Sequence, residues 1–439
     1  MAIPIALQNL LMASFRLVDT LMIGQLGDTS IAAVGLAGNV SFFIELIAFG
    51  MASGSAVFIA QYHGAKDEPG IYRAFSASFI CIVPFGVLAS VFVMLFPSFF
   101  MHLLTDEAPM IEEGSRYLTT AAFSYTGLML TQQFCTTLRS TERVKLPVIA
   151  TSISAVTNAV LNYVLIFGKL GLPAMGVMGA GLATSISALL SPLIVFVTSL
   201  VQRNVLVRCF KGLGMLRGFF ARFWRRSLPV LCNEMLWSMS VVIMNMVYGR
   251  MGQDSFAALT MFRTVENLVF VFFVGICNAC NILVGKHIGS GDIEGGKRLS
   301  KQFMWLSPLM GLVLGAAIIA LRSPIVGLYD TSEIAKHTAE ILLIMYGIEV
   351  GIRNVPYIAV VGIFRAGGDT RIGLIGDVCV NYLIVVPVVV LCGLVFKLPF
   401  LTTYLLMLIV DDLGKCLVYV PYYLKNRWIK PVVDYKEID

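Results

Sequence analysis

The sequence predicts an all-α integral membrane protein: twelve transmembrane helices in two six-helix lobes related by a parallel repeat. Three observations carry this expectation. Of the 439 residues, 58% are hydrophobic and only 13% charged, where soluble domains carry about 25% charged residues. Mean hydropathy is +0.84, and apolar runs of about 20 residues, the length that crosses a bilayer, recur along the chain. The second half also repeats the spacing of the first.

Twelve spans follow from the apolar runs, at roughly 3–25, 32–61, 74–97, 114–138, 146–168, 177–201, 227–249, 256–285, 302–321, 335–364, 371–394 and 400–424. Lys and Arg in the connections set their orientation, because basic loops stay cytoplasmic. With the N-terminus inside, 22 basic residues fall in inside connections and six outside, so both termini are expected to be cytoplasmic. The expected division is an N-terminal lobe at 1–201, a basic cytoplasmic linker at 202–226, a C-terminal lobe at 227–424 and a cytoplasmic tail at 425–439.

A shift of 225 brings Pro4 onto Pro229, Gly24 onto Gly249, Gly27 onto Gly252, Gly64 onto Gly289, Asp67 onto Asp292 and Arg73 onto Arg298. A shift of 226 brings Leu138-Arg139-Ser140 onto Phe364-Arg365-Ala366. Six spans per copy is an even number, so both copies enter the membrane in the same sense, an arrangement used by secondary transporters.

The net charge of +6 does not point to nucleic acid, since the basic residues are spread through short loops. The nine cysteines lie in apolar runs and read as small buried hydrophobes. Cys277 and Cys280 form a CxxC without the second pair and polar shell of a metal site.

Charges inside the spans carry the functional reading, because an ionised group at the centre of a membrane helix costs roughly 2.5 kcal/mol or more. Four basic residues have an acid one turn away: Arg16 with Asp19, Arg263 with Glu266, Arg353 with Glu349, and Lys415 with Asp411 and Asp412. Such spacing predicts structural ion pairs. Three carboxylates have no cation within one turn: Glu45, Glu234 and Asp377. At ~1.5 Å of rise per residue, Glu234 lies ~10 Å, Asp377 ~9 Å and Asn354 ~15 Å from the expected inner surface, so the three could meet in the second half. Asp19, Asn158, Asn162 and Thr184 could form a second cluster nearer the outside, and Glu45 either lines the path or is a lone protonated acid.

The stretches VDTLMIGQLG (Val18 to Gly27), LRSTERVKLP (Leu138 to Pro147), NAVLNYVLIFG (Asn158 to Gly168), MGAGLATSIS (Met178 to Ser187) and FRAGGDT (Phe364 to Thr370) resemble the multidrug and toxic compound extrusion (MATE) family over nearly the whole chain. The resemblance implies a cation-coupled antiporter that exports organic cations or amphiphilic compounds in exchange for H⁺ or Na⁺, its two lobes rocking about a central cavity. It implies one site around Asp19, Asn158, Asn162 and Thr184, although a span-five acid of some members is Asn162 here. It implies another at Glu234, with Asn354 where a span-ten Asp is expected. A carboxylate that holds either a proton or a cation can couple two fluxes; Glu234, helped by Asp377 and Asn354, is the expected principal exchange site, with Asp19 governing a second site or a gate.

The expected partners are a small cationic or amphiphilic molecule and the lipid bilayer, with no nucleic acid and no cofactor beyond the coupling ion. The chain is expected to act as a monomer in a bacterial inner membrane. A flippase for lipid-linked or other amphiphilic substrates is the alternative. An intramembrane enzyme is disfavoured because His63, His102, His287 and His337 sit near loops without a catalytic pattern. The duplication argues against a receptor, and no filter-like loop supports a channel.

Overall fold

A computed structural model describes residues 18–327, 329 and 331–433, and its regular elements are all helical. Helix α1 is described at 18–24. It is followed by α2 (Asp28–Gly64), α3 (Glu68–Leu95), α4 (Pro97–Leu104), α5 (Ala108–Ala121), α6 (Phe123–Ser140), α7 (Lys145–Phe167), α8 (Val177–Val201) and α9 (Val205–Cys209). The second half contains α10 (Phe219–Gly249), α11 (Gln253–Gly289), α12 (Ile293–Val326), α13 (Glu333–Tyr357), α14 (Arg365–Gly367), α15 (Arg371–Val380), α16 (Val386–Val390) and α17 (Phe400–Leu424).

Nine helices among the described residues are long and apolar enough to cross a bilayer. Three expected spans fall short for separate reasons. The first lies mostly outside the described residues, as do Arg16 and the tail beyond residue 433. The fourth is broken between α5 and α6. The last, α17, carries Asp411, Asp412 and Lys415. Between α13 and α14, residues Ile358–Phe364 widen into a π turn just after Pro356, whose missing N–H interrupts the ordinary helical ladder.

The described chain forms two compact units, one from 18–59 with 67–227 and the other from 60–66 with 228–433. In the first, the connection expected as a basic loop is instead helical over α9 and a 3₁₀ turn at Phe210–Gly214. Its apolar residues explain this: Leu206 and Cys209 are buried, and Phe210 sets its ring edge-on to Phe75, Phe79, Phe134 and Phe196.

In the second unit, small residues let helices approach at backbone distance. Gly311 and Gly315 of α12 face Gly351 and Gly347 of α13, where added Cβ atoms would run into the opposite backbone, the small-xxx-small contact that replaces hydrophobic driving force in lipid. The segment 60–66 is anchored here by Gln61, whose amide donates to the Ala366 carbonyl and accepts from the Val432 N–H, both at 2.7 Å. A Cβ on Gly64 would meet the Lys286 backbone, and one on Gly289 would meet Gln61. Those four positions are related by the 225-residue shift, so the two contacts of this single crossing mirror each other. The same shift relates two helix caps: Asp67 accepts from the Gly70 N–H and Asp292 from the Gly295 N–H, each at 2.8 Å.

Candidate functional site

Two polar sites lie within the apolar helices, one in each unit. In the first, α7 presents Asn158 and Asn162 one turn apart on the same face, toward Asp19 of α1. Asn162 Nδ2 donates to Asp19 Oδ1 at 2.6 Å. In the amide orientation that satisfies its neighbours, Asn158 donates to the two Asp19 oxygens at 2.8 and 2.9 Å and accepts from Ser187 Oγ at 3.2 Å. Both asparagines are buried, Asn162 to 1% exposure.

Close packing fixes this geometry. Gly179 of α8 rests on the Leu165 backbone of α7, and Gly181 rests on Tyr117 and Thr120 of α5. Thr184 donates to the Ala180 carbonyl of its own helix at 2.9 Å and meets the Tyr117 hydroxyl. Tyr117 also lies in the electrostatic field of Asp19 and Glu45, so Glu45, half-buried on α2, belongs to the surroundings of this site. Ser187 and Tyr117 complete it and were missed in the sequence, because a lone hydroxyl in an apolar run carries no spacing signal.

In the second unit, Glu234 of α10 is held by Arg365 of α14: Nη2 lies 2.6 Å from Oε1, with side-chain exposures of 3% and 13% for Arg365 and Glu234. No cation within one helical turn was expected for Glu234, and none is needed, since the guanidinium arrives from a residue 131 positions away. Asp377 of α15 accepts from Asn233 Nδ2 at 2.7 Å and from the Tyr419 hydroxyl at 2.8 Å. Gly376 makes room for that ring, which a Cβ would strike. Glu234 and Asp377 are close enough to sense each other. Asn354 is buried but donates to the Val350 carbonyl of α13 at 2.6 Å, so its amide is engaged within its own helix rather than with the two acids.

The expected local ion pairs are partly rearranged. Lys415 meets Asp411 at 2.6 Å, as the one-turn spacing predicts. Glu266, however, takes Arg353 from α13 at 2.8 Å in place of Arg263, and Arg353 stands 4.0 Å from Glu349. Helix packing brings a cation across from another element, which local spacing cannot reveal. Cys277 and Cys280 are both buried in the core of this unit.

A duplicated bundle of membrane helices with buried carboxylates in each half is the construction of a secondary transporter. The MatE family model matches twice, over residues 4–164 and 229–391, and the chain belongs to that family, the MATE multidrug efflux transporters. The two matches begin 225 residues apart, the shift at which the sequence repeats. Among curated relatives, the probable multidrug resistance protein YoeA of Bacillus subtilis is 26% identical over 349 residues, covering 78% of this chain and 75% of that one. The probable multidrug resistance protein NorM of Rhizobium meliloti is 26% identical over 399 residues, covering 85% and 81%. A crystal structure of MATE in the straight conformation superposes with a TM-score of 0.85 at 19% identity, over 98% of this chain and 95% of that one. The eukaryotic MATE transporter AtDTX14 gives 0.84 at 16% identity, with coverage of 98% and 95%.

Proposed function

We propose that this chain is a secondary antiporter that exports organic cations or amphiphilic drugs in exchange for H⁺ or Na⁺, its lobes rocking between inward- and outward-open states. The observation that carries the proposal is the Asp19 carboxylate gripped by the amide nitrogens of Asn158 and Asn162. Neutral donors in a low-dielectric site can be exchanged for a proton or a cation, and each exchange changes the charge that the lobe presents. Glu234 is assigned to the same cycle: protonating it, or bringing a substrate cation to it, weakens its bond to Arg365. The names of YoeA and NorM support drugs as the substrate class. The excess of basic residues in alternate connections supports cytoplasmic termini.

Proteoliposome efflux of ethidium, driven by a pH gradient alone and then by a Na⁺ gradient alone, tests this reading. One of the two gradients should drive wild-type efflux, and Asp19→Asn and Glu234→Gln should abolish the gradient-driven part. A wild type indifferent to both gradients defeats the antiporter reading. Variants that transport like wild type remove these two carboxylates from it.

A further inference from the structure

Beyond Glu234, the second unit holds a group of acids with too few cations to neutralise it. Glu266 lies on α11, Glu349 on α13, and Asp411 and Asp412 on α17, with Asp377 of α15 next to Lys415. The cations in the same neighbourhood are Arg263, Arg353 and Lys415. Two negative charges are left over, at a depth where an unpaired charge costs several kcal/mol.

The ion pairs locate the excess. Arg353 is committed to Glu266 at 2.8 Å and reaches Glu349 only at 4.0 Å, while Lys415 is committed to Asp411 at 2.6 Å. That leaves Glu349 against Asp412, carboxyl to carboxyl across α13 and α17. Asp412 is 4% exposed. Its Oδ2 and both Glu349 oxygens lack a hydrogen-bond donor. Two ionised carboxylates offer only acceptors to each other, so the contact is satisfied when one of them carries a hydrogen. The hydroxyls of Tyr346 and Tyr404 and the Cys416 thiol also lie in the field of the pair, while Tyr248 lies nearer Asp411 and Glu266. The Arg353 guanidinium lies 5.7 Å from the centre of the Tyr346 ring.

We infer that Glu349 and Asp412 are a proton-binding site, sharing one proton that the transporter exchanges for substrate charge. The inference rests on the antiporter reading and narrows its coupling ion in this lobe to H⁺. A proton placed between the two carboxyls completes one hydrogen bond and leaves the guanidinium at 4.0 Å where it stands, whereas Na⁺ needs several oxygen ligands gathered around it. On ionising, the pair becomes a doubly negative patch that a cationic substrate can neutralise; on reprotonation it releases that attraction.

Infrared spectroscopy of the purified full chain tests the site independently of transport. The wild type should show a carboxylic-acid C=O band at neutral pH that titrates on raising pH and shifts in D₂O. Glu349→Gln and Asp412→Asn should each lose that band, because an amide gives the remaining carboxylate a donor. Glu349→Asp should restore it, and Asp19→Asn should retain it. A band that persists in both amide variants overturns the inference, as does a band abolished by Na⁺ at constant pH. A variant that no longer elutes as a monodisperse peak is judged through Glu349→Asp: a folded Asp variant without the band also counts against the site. The pH-gradient efflux assay with ethidium separates the two claims. Wild type with the band but no efflux defeats antiport and leaves the proton pair standing. Wild type with pH-driven efflux that Glu349→Gln leaves intact shows antiport without this pair.

Discussion

The two lobes keep the same frame and handle charge by opposite means. In the first, Asp19 is met by the amides of Asn158 and Asn162. In the second, Glu234, Glu266 and Asp411 are met by Arg365, Arg353 and Lys415. At the repeat's own shifts, Glu234 falls on Asn9, Glu266 on Ser41, Glu349 on Phe123 and Asp377 on Thr151. The caps at Asp67 and Asp292 and the crossing of Gly64 and Gly289 are retained, while the carboxylates are not. Duplication has thus preserved what folds the helices and freed the interior to diverge, which lets one lobe tune affinity through neutral donors and the other through a charge network.

The largest effect should come from breaking a buried pair in the charged lobe. Arg365→Ala leaves the Glu234 carboxylate without the guanidinium at 2.6 Å, a loss of about 3–5 kcal/mol for an uncompensated buried charge. Thermal unfolding in detergent should show it, and Arg365→Ala combined with Glu234→Gln should recover much of the lost stability. Equal destabilisation in single and double variants would mean that Arg365 holds the fold through its other contacts, and the contrast between the lobes would weaken.

How much of this was legible in the chain depends on the range of the interaction. Periodic apolar runs and repeated glycines are local and sufficed for the fold class, the duplication and the grouping of Asp19 with Asn158 and Asn162, which come from a shared helix face and a recognisable stretch. The Lys415–Asp411 pair is likewise one turn long. Arg365, in contrast, sits at the end of a span and looks like an ordinary loop cation until the π turn at Ile358–Phe364 and the packing of Gly367 on Trp428 carry it to Glu234. Gln61 gave no sign that it would bridge residues about 300 and 370 positions away. The facing of Glu349 by Asp412 joins two helices whose order in sequence says nothing about their register.

A second test makes the first lobe resemble the acid-rich one. Asn162→Asp replaces the donor at 2.6 Å from Asp19 with a second carboxylate, so the pair must take up a proton or a cation to remain buried. Added Na⁺ should then stabilise the variant and leave the wild type nearly unmoved. At ten times its dissociation constant the ion would contribute about 1.4 kcal/mol, readable as a rise in unfolding temperature. An equal response in the two proteins would place any Na⁺ site elsewhere and remove Asn162 as the residue that sets the ion preference of this lobe.

The smallest effect concerns the caps, where the lobes agree in geometry and differ in neighbours. Asp67 has Arg73 at 3.8 Å, whereas Asp292 has His287 at 2.9 Å. The Gly295 N–H, and after it His287, hold the Asp292 carboxyl below its usual range. A group whose pKa is lower in the folded state adds stability above its unfolded value, near 3.9, and loses it as pH falls through the folded one. Asn caps a helix about as well as Asp, so Asp292→Asn should lower the unfolding temperature slightly at pH 6, and the gap should close as the pH is taken below about 4. A gap that stays constant across that window would assign the loss to altered capping geometry, and the two caps would then be equivalent in charge as well as in shape.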